Sequence, residues 1–198
     1  MTRRLFFLRG SFWLTLLKTG FLLFVGAMVL VQIPEVRYDL GPKEPVVLKG
    51  PGGLEGAHIS KATFVVVEGK PDFTHAFIYK RYGLLYSYFT IQPYGMRLVV
   101  RTYDKITDEW RGLDRFVGKL RPFRHQPFHY RIRDIYDEKF QVEVPEGAYF
   151  LALDDVPRIS VWQIGALCFA SILWLCLFYF FFLFKHMKRG RKVTGFHE

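Results

Sequence analysis

The chain has 198 residues, room for one domain and its anchors but not for two ordinary domains. Hydrophobic residues make up 51% and aromatics 18%, and the apolar excess lies at the two ends, unlike an ordinary soluble domain. Most of the formal charge of +10 also sits at the ends, since the 19 basic and 17 acidic residues between 34 and 160 leave only +2 there, so no nucleic-acid-binding face is expected.

The first segment, 1–33, predicts a basic cytoplasmic stretch and a membrane span. Thr19–Ile33 is uncharged but spans only about 22 Å as a helix. Extending it back to Phe12 includes Lys18, whose ammonium can snorkel to the headgroups. Trp13 falls near the boundary, and Arg3, Arg4 and Arg9 lie beyond it. Apolar residues run on through Ile33, which favours a retained anchor over a cleaved signal peptide. Pro34 is expected to end the helix.

Residues 34–56 are rich in Pro and Gly and read as an extended arm, with turns at Gly41-Pro42 and Gly50–Gly53. Residues 57–160 read as an exported β domain. Candidate strands are Ala62–Glu68, Ala76–Lys80, Leu85–Gln92, Arg97–Tyr103, Phe116–Leu120, His129–Arg133, Phe140–Val144 and Ala148–Leu153. In Leu85–Gln92, Leu85, Ser87, Phe89 and Ile91 share one face. A period of two predicts a half-buried antiparallel sheet. Pro93 and Gly95 join that strand to the next as a hairpin, and Thr107–Leu113 reads as a helical turn. The expected fold is a mainly antiparallel small barrel or sandwich, of the kind seen in oligosaccharide-binding folds, flanked by two transmembrane helices.

Val161–Phe184 is uncharged and about 36 Å long as a helix, enough to cross a bilayer. Trp162 marks one interface, and Lys185–Lys192 follow the other end in a basic tail, 185–198. Cys168 and Cys176 lie inside this span and read as small apolar packing groups. Gly20, Gly26, Ala27, Gly165, Ala166 and Ala170 offer small-residue faces for helix contact. Both basic flanks lie outside the spans, so both termini are expected in the cytoplasm, with a periplasmic domain. The mitochondrial equivalent is the matrix, with the domain in the intermembrane space.

No catalytic, cofactor or metal constellation stands out. His125 and His129 are four apart, but Pro127 between them argues against one helix carrying both. Asp108/Glu109, Asp137/Glu138 and Asp154/Asp155 are adjacent pairs, which point to opposite faces of a strand. Asp154 and Asp155 precede the second span and are candidate contacts to a partner subunit. Tyr86 and Tyr88 belong to a dense aromatic run suited to core packing and to a protein or lipid-headgroup contact.

The stretch GMRLVVRTYD…DRFVG…VPEGAYFLALDD resembles the core strands of bacterial signal peptidases. That family needs a Ser just before the first strand and a Lys at the start of the second. Here IQPYG precedes Met96, and Asp114-Arg115 occupy the Lys-Arg place, so peptidase chemistry does not carry over. Over residues 61–123, FVVVEGKPDF, LYSYFTIQPYGMRLVVR and FVGKLRPF resemble the Surfeit-locus family of cytochrome oxidase assembly proteins. That resemblance implies an exported β domain between two spans. The family's Asn-Arg-Gly-Trp is replaced by Val100-Arg101-Thr102-Tyr103, and its His and Gln-Trp are missing from DDVPRISVWQ. Its haem-related roles therefore do not transfer.

The sequence thus points to a non-catalytic accessory or assembly subunit of a membrane complex, with a respiratory, cytochrome-oxidase-related one suggested by the resemblance. Its partners would be other integral membrane subunits and membrane lipid. A ligand- or lipid-binding sensor module is the alternative, and an envelope hydrolase is a third.

Overall fold

The computed structural model describes residues 2–56, 59 and 61–184. The basic tail from Lys185 lies outside the described residues. In chain order, helix α1 is Thr2–Asp39, strand β1 is Val46–Lys49 and helix α2 is Gly50–Gly56. Strands β2 (Thr63–Glu68), β3 (Lys70–Arg81), β4 (Leu84–Gln92) and β5 (Gly95–Thr102) follow. A 3-10 turn, Asp108–Gly112, leads to β6 (Arg115–Pro122), and a second, Phe123–His125, leads to helix α3 (His129–Phe140). Strand β7 (Tyr149–Ala152) precedes helix α4 (Val161–Phe178), which continues as a π-helical turn over Tyr179–Leu183. Two compact units result: Met1–Arg37 with Ile159–Glu198, and Tyr38–Arg158.

In the first unit, Phe12–Asp39 and Val161–Leu183 are long and apolar enough to cross a membrane, with mean hydropathies of 2.1 and 2.4. The Ser160 hydroxyl caps α4 by accepting from the Gln163 N–H at 3.4 Å. Ser171 is satisfied within its own helix, donating to the Leu167 carbonyl at 2.8 Å. The expectation that Pro34 ends α1 is corrected: the helix continues to Asp39. Proline removes one helix bond, a loss the rest of the helix tolerates, and Tyr38, one turn on, makes tertiary contacts of its own.

The second unit is built on a seven-stranded sheet in the order β1-β2-β6-β7-β5-β4-β3. The sheet is mixed: β1–β2 and β5–β7 are parallel, and the other four pairings are antiparallel. Strands β2 and β3 are separated only by Gly69, yet they lie five places apart in the sheet. Laid flat, that separation would be roughly 24 Å, while one linking residue reaches only about 7 Å. The sheet must therefore curl until its two sides meet at Gly69, although no ladder joins β1 to β3 among the described residues. A Cβ at Gly69 would lie 2.3 Å from the Gln92 carbonyl oxygen, so only glycine fits the corner. The Gly69 N–H donates to the Asp114 carbonyl at 2.9 Å. Close by, the Asp72 carboxylate accepts from the Thr74 hydroxyl at 2.6 Å, the Thr74 N–H at 2.9 Å and the Gln92 amide at 2.9 Å.

Curling gives the sheet an inner face packed on itself. Leu48, Val65, Val67, Phe89, Ile91, Leu98, Val100, Phe116, Leu120 and Leu151 fill it, with Leu54 of α2 and Trp110 of the 3-10 turn at its ends. The outer face is also buried over part of its extent, where α3 sets Ile132 and Tyr136 against Phe77, Tyr88, Val99 and Phe150. The half-buried sheet expected from alternation is thus corrected: the middle of β4, from Ser87 to Ile91, is buried on both faces.

Three further expectations are corrected. Residues 129–133 and 140–144 are not strands; His129–Phe140 is α3. Tyr130 and Ile132 alternate over five residues, but Ile132, Ile135, Tyr136 and Phe140 recur at helical spacing over twelve. The 34–56 arm is not wholly extended: it contains the end of α1, strand β1 along β2, and α2, held by buried Leu54. The barrel or sandwich expectation resolves into a curled, unclosed sheet with one covering helix.

A Cβ on Gly118 would lie 2.2 Å from the Ala152 carbonyl oxygen, and that backbone belongs to the central strand. Gly118→Val should cost about 3 kcal/mol, whereas Gly112→Ala, with open space around it, should be near neutral. Denaturant unfolding of the detergent-solubilised chain, followed by near-UV circular dichroism, measures both. Hydrogen bonds from the Thr74 hydroxyl, the Thr74 N–H and Gln92 hold the Asp72 carboxyl below its usual range, so it titrates lower when folded than unfolded. Its stabilisation is present above the unfolded pKa and fades as pH falls through the lowered folded value. Asp72→Asn should therefore be less stable than the parent at neutral pH, and the difference should shrink on acidification.

Candidate functional site

Within the first unit the two long helices are pinned by a polar contact. The Trp174 indole donates to the backbone carbonyl of Leu22 at 3.0 Å. That carbonyl is reachable because Gly26, one turn on, has no side chain: a Cβ there would stand 3.0 Å from the same indole nitrogen. Of the small residues singled out, Gly26 makes such a contact, while Gly20 and Gly165 face open space. The Lys18 ammonium lies 5.3 Å from the centre of the Phe181 ring, a cation–π contact between the two long helices. Trp13 and Trp162 are both exposed, and Cys168 and Cys176 are free and exposed on α4.

The second unit holds a buried cation that the sequence did not mark. Lys119, in the middle of β6, is 1% exposed. Its ammonium sits 3.2 Å from the Asp155 carboxylate and 4.0 Å from the centre of the Tyr38 ring. Arg121 reaches the same carboxylate oxygen at 3.6 Å, and the Tyr38 hydroxyl donates to the Asp155 backbone carbonyl at 2.8 Å. Asp154 is committed inside the unit too, accepting from the Tyr103 N–H at 2.8 Å and the Thr102 hydroxyl at 3.3 Å. Both aspartates thus serve internal bonds. The signal that could have flagged Lys119 is its place on a strand between buried neighbours, with Asp155 as the complementary charge.

Tyr86 and Tyr88 part company. Tyr88 is a core residue, stacked on Phe77 with ring centres 5.0 Å apart, and burial pushes its phenol up to about 12. Tyr86 is half-buried beside Tyr103, and the Arg101 guanidinium lies between 5.2 and 5.6 Å from the rings of Tyr86, Tyr103 and Phe150. His125 is exposed, while His129 sits at the start of α3 with Nδ1 3.0 Å from the Gln126 carbonyl oxygen and its ring edge-on to Phe123. The two are not brought together, and among the described residues no group of three or more His, Cys, Asp or Glu side chains is placed to hold a metal.

Two surfaces of this unit expose apolar groups. One is the outer edge of β1 and the adjoining outer face of β2 and β6, where Val47 and Val117 are exposed and Phe64 and Val66 half-buried. No strand pairs with that edge among the described residues. The other is the β3–β4 turn with the start of α3. There Tyr82 and Phe128 take left-handed backbone conformations, φ 50° and 65°, at a cost of roughly 1–2 kcal/mol each for bulky L-residues. No protein-family model matches the chain, and neither a curated protein nor a solved structure matches it significantly.

Asp155→Ala should destabilise the chain by about 2–4 kcal/mol by stripping a carboxylate from a buried ammonium, while Lys119→Met should cost less than about 1 kcal/mol. Unfolding curves of the two variants side by side check the asymmetry. Equal losses would mean that the ion pair does not govern this region.

Proposed function

We propose that this chain is a non-catalytic accessory or assembly subunit of a membrane protein complex. In this reading Phe12–Asp39 and Val161–Leu183 are its spans, and the Tyr38–Arg158 unit lies in the periplasm or the intermembrane space. The basic groups beyond the outer ends of both spans support that orientation, because cationic flanks stay on the cytoplasmic or matrix side.

The observation that carries the reading is the β1 edge, with which no strand pairs among the described residues, beside exposed Val47 and Val117 and half-buried Phe64 and Val66. An unpaired strand edge next to an apolar face is a template for another chain, which gains main-chain hydrogen bonds from the edge and burial from the face. The occupant is a neighbouring subunit with an apolar strand or loop to lay along it. That the complex is respiratory rests on the resemblance of residues 61–123 to the Surfeit-locus family.

Mild-detergent affinity purification from native membranes, with an absorption spectrum of the eluate, tests this. Haem-bearing integral subunits should co-purify with the parent, and recovery should fall roughly tenfold for the Val47→Lys/Val117→Lys double variant, each charge costing on the order of a kcal/mol or more in a desolvated interface. A colourless chain recovered alone would overturn the proposal.

A further inference from the structure

We infer that the β3–β4 turn and the first turn of α3 together form a docking surface for anionic lipid headgroups. The turn is a two-residue loop, Tyr82-Gly83, with both residues at positive φ, the geometry of a tight hairpin turn that asparagine followed by glycine fits most easily. Here a tyrosine takes the first place and projects into solvent, 85% exposed. Its neighbours Ile78, Leu84 and Leu85 are more than half exposed as well. Phe128, the second bulky residue in a left-handed conformation, stands at the start of α3 beside exposed Tyr130. The two tips are joined by Arg81, whose guanidinium carbon lies 3.3 Å from the centre of the Phe128 ring and 4.8 Å from that of Tyr82. Strain held at two adjacent exposed aromatics, where no core packing requires those side chains, marks a functional surface.

The charge of the patch selects its occupant. Lys80 is paired across the hairpin with Leu85, Arg81 bridges the tips, and Arg131 lies over the Tyr130 ring at 6.0 Å. No acidic residue occurs from Phe73 to Tyr103 or from Arg115 to Arg133, the two stretches that build the patch. Asp134, exposed one turn after Tyr130 on α3, is the acidic residue that follows, against Lys80, Arg81, Arg131 and Arg133. Exposed aromatic and aliphatic groups with such a cationic excess match an anionic headgroup layer over acyl chains. Tyrosine rings seat at that boundary, and arginine pairs with phosphates. This surface shares no residue with the strand edge: Val47, Phe64, Val66 and Val117 lie on β1, β2 and β6, whereas the patch is built from the β3–β4 turn and α3, so either assignment can fail without the other.

The test places a nitroxide on Tyr82→Cys in a Cys168→Ala/Cys176→Ala background. The full chain is held in zwitterionic nanodiscs and mixed with vesicles of phosphatidylcholine, with or without phosphatidylglycerol. With phosphatidylglycerol, collisions with a water-soluble nickel complex should fall about threefold or more and collisions with oxygen should rise. Phosphatidylcholine alone should leave both unchanged. A label at Asp108→Cys, a fully exposed position away from the patch, should not respond and reports on folding. Arg81→Glu and Lys80→Glu, added singly, should each raise the vesicle concentration needed for half the response roughly tenfold. A nitroxide at position 82 that stays in water with both vesicles overturns the inference, as does a response that both charge reversals leave intact.

Discussion

One residue sets the shape of the β unit. Gly69 is all that separates β2 from β3, and those strands belong to opposite sides of a seven-stranded sheet. The sheet has to curl to satisfy that link, and the curl creates an interior from a single layer. Apolar residues on one face of each strand then meet one another across the curl. The same curl leaves the outer face convex and too broad for one helix to cover. Helix α3 shields it over β3, β4, β5 and β7, and beyond its reach Val47, Phe64, Val66 and Val117 meet solvent. The exposed surface is thus a geometric remainder of the fold.

The electrostatics follow the same division. Lys119 points to the outer face where α3 does not extend, yet it is buried, because Tyr38 lies over its ammonium and Asp155 faces it. A buried cation of this kind adds little net stability, since desolvation offsets most of the attraction, but it is intolerant of a missing partner. It therefore fixes where the segments entering and leaving the unit, at Tyr38 and Asp155, meet on the sheet.

Much of the architecture was legible in the residues. The two long apolar helices, the strands around 85–92 and 97–103, their hairpin at Pro93 and Gly95, and the helical turn near Asp108 all appear where pattern placed them. These segments are long or strongly alternating, so local signal and tertiary structure agree. Short segments were misread where tertiary contact decides. Five residues of α3 mimic a strand, and α2 is a helix of Gly, Pro and one buried Leu whose propensity argues against it. Helix α1 runs through Pro34 to Asp39, and a local breaker signal does not show that the turn beyond it, with Tyr38 in tertiary contact, stays helical. Of the residues named as contacts, Tyr88 is core, while Asp154 and Asp155 also carry bonds inside the unit that residue type alone does not reveal. Lys119 and Phe128 were missed because their roles depend on neighbours brought together only by the fold.

The position of β7 has a consequence for how the unit assembles. This four-residue strand is the last of the sheet in sequence and the fourth in space, and it alone connects β1-β2-β6 to β5-β4-β3. As the chain is synthesised, two half-sheets are present while their keystone is still to come. The strand that pairs with both, Tyr149–Ala152, is made last, with eight residues between it and the start of α4 at Val161. Completion of the β unit and delivery of the second long helix are therefore nearly simultaneous, and until that moment the half-sheets present unpaired edges of the kind chaperones recognise.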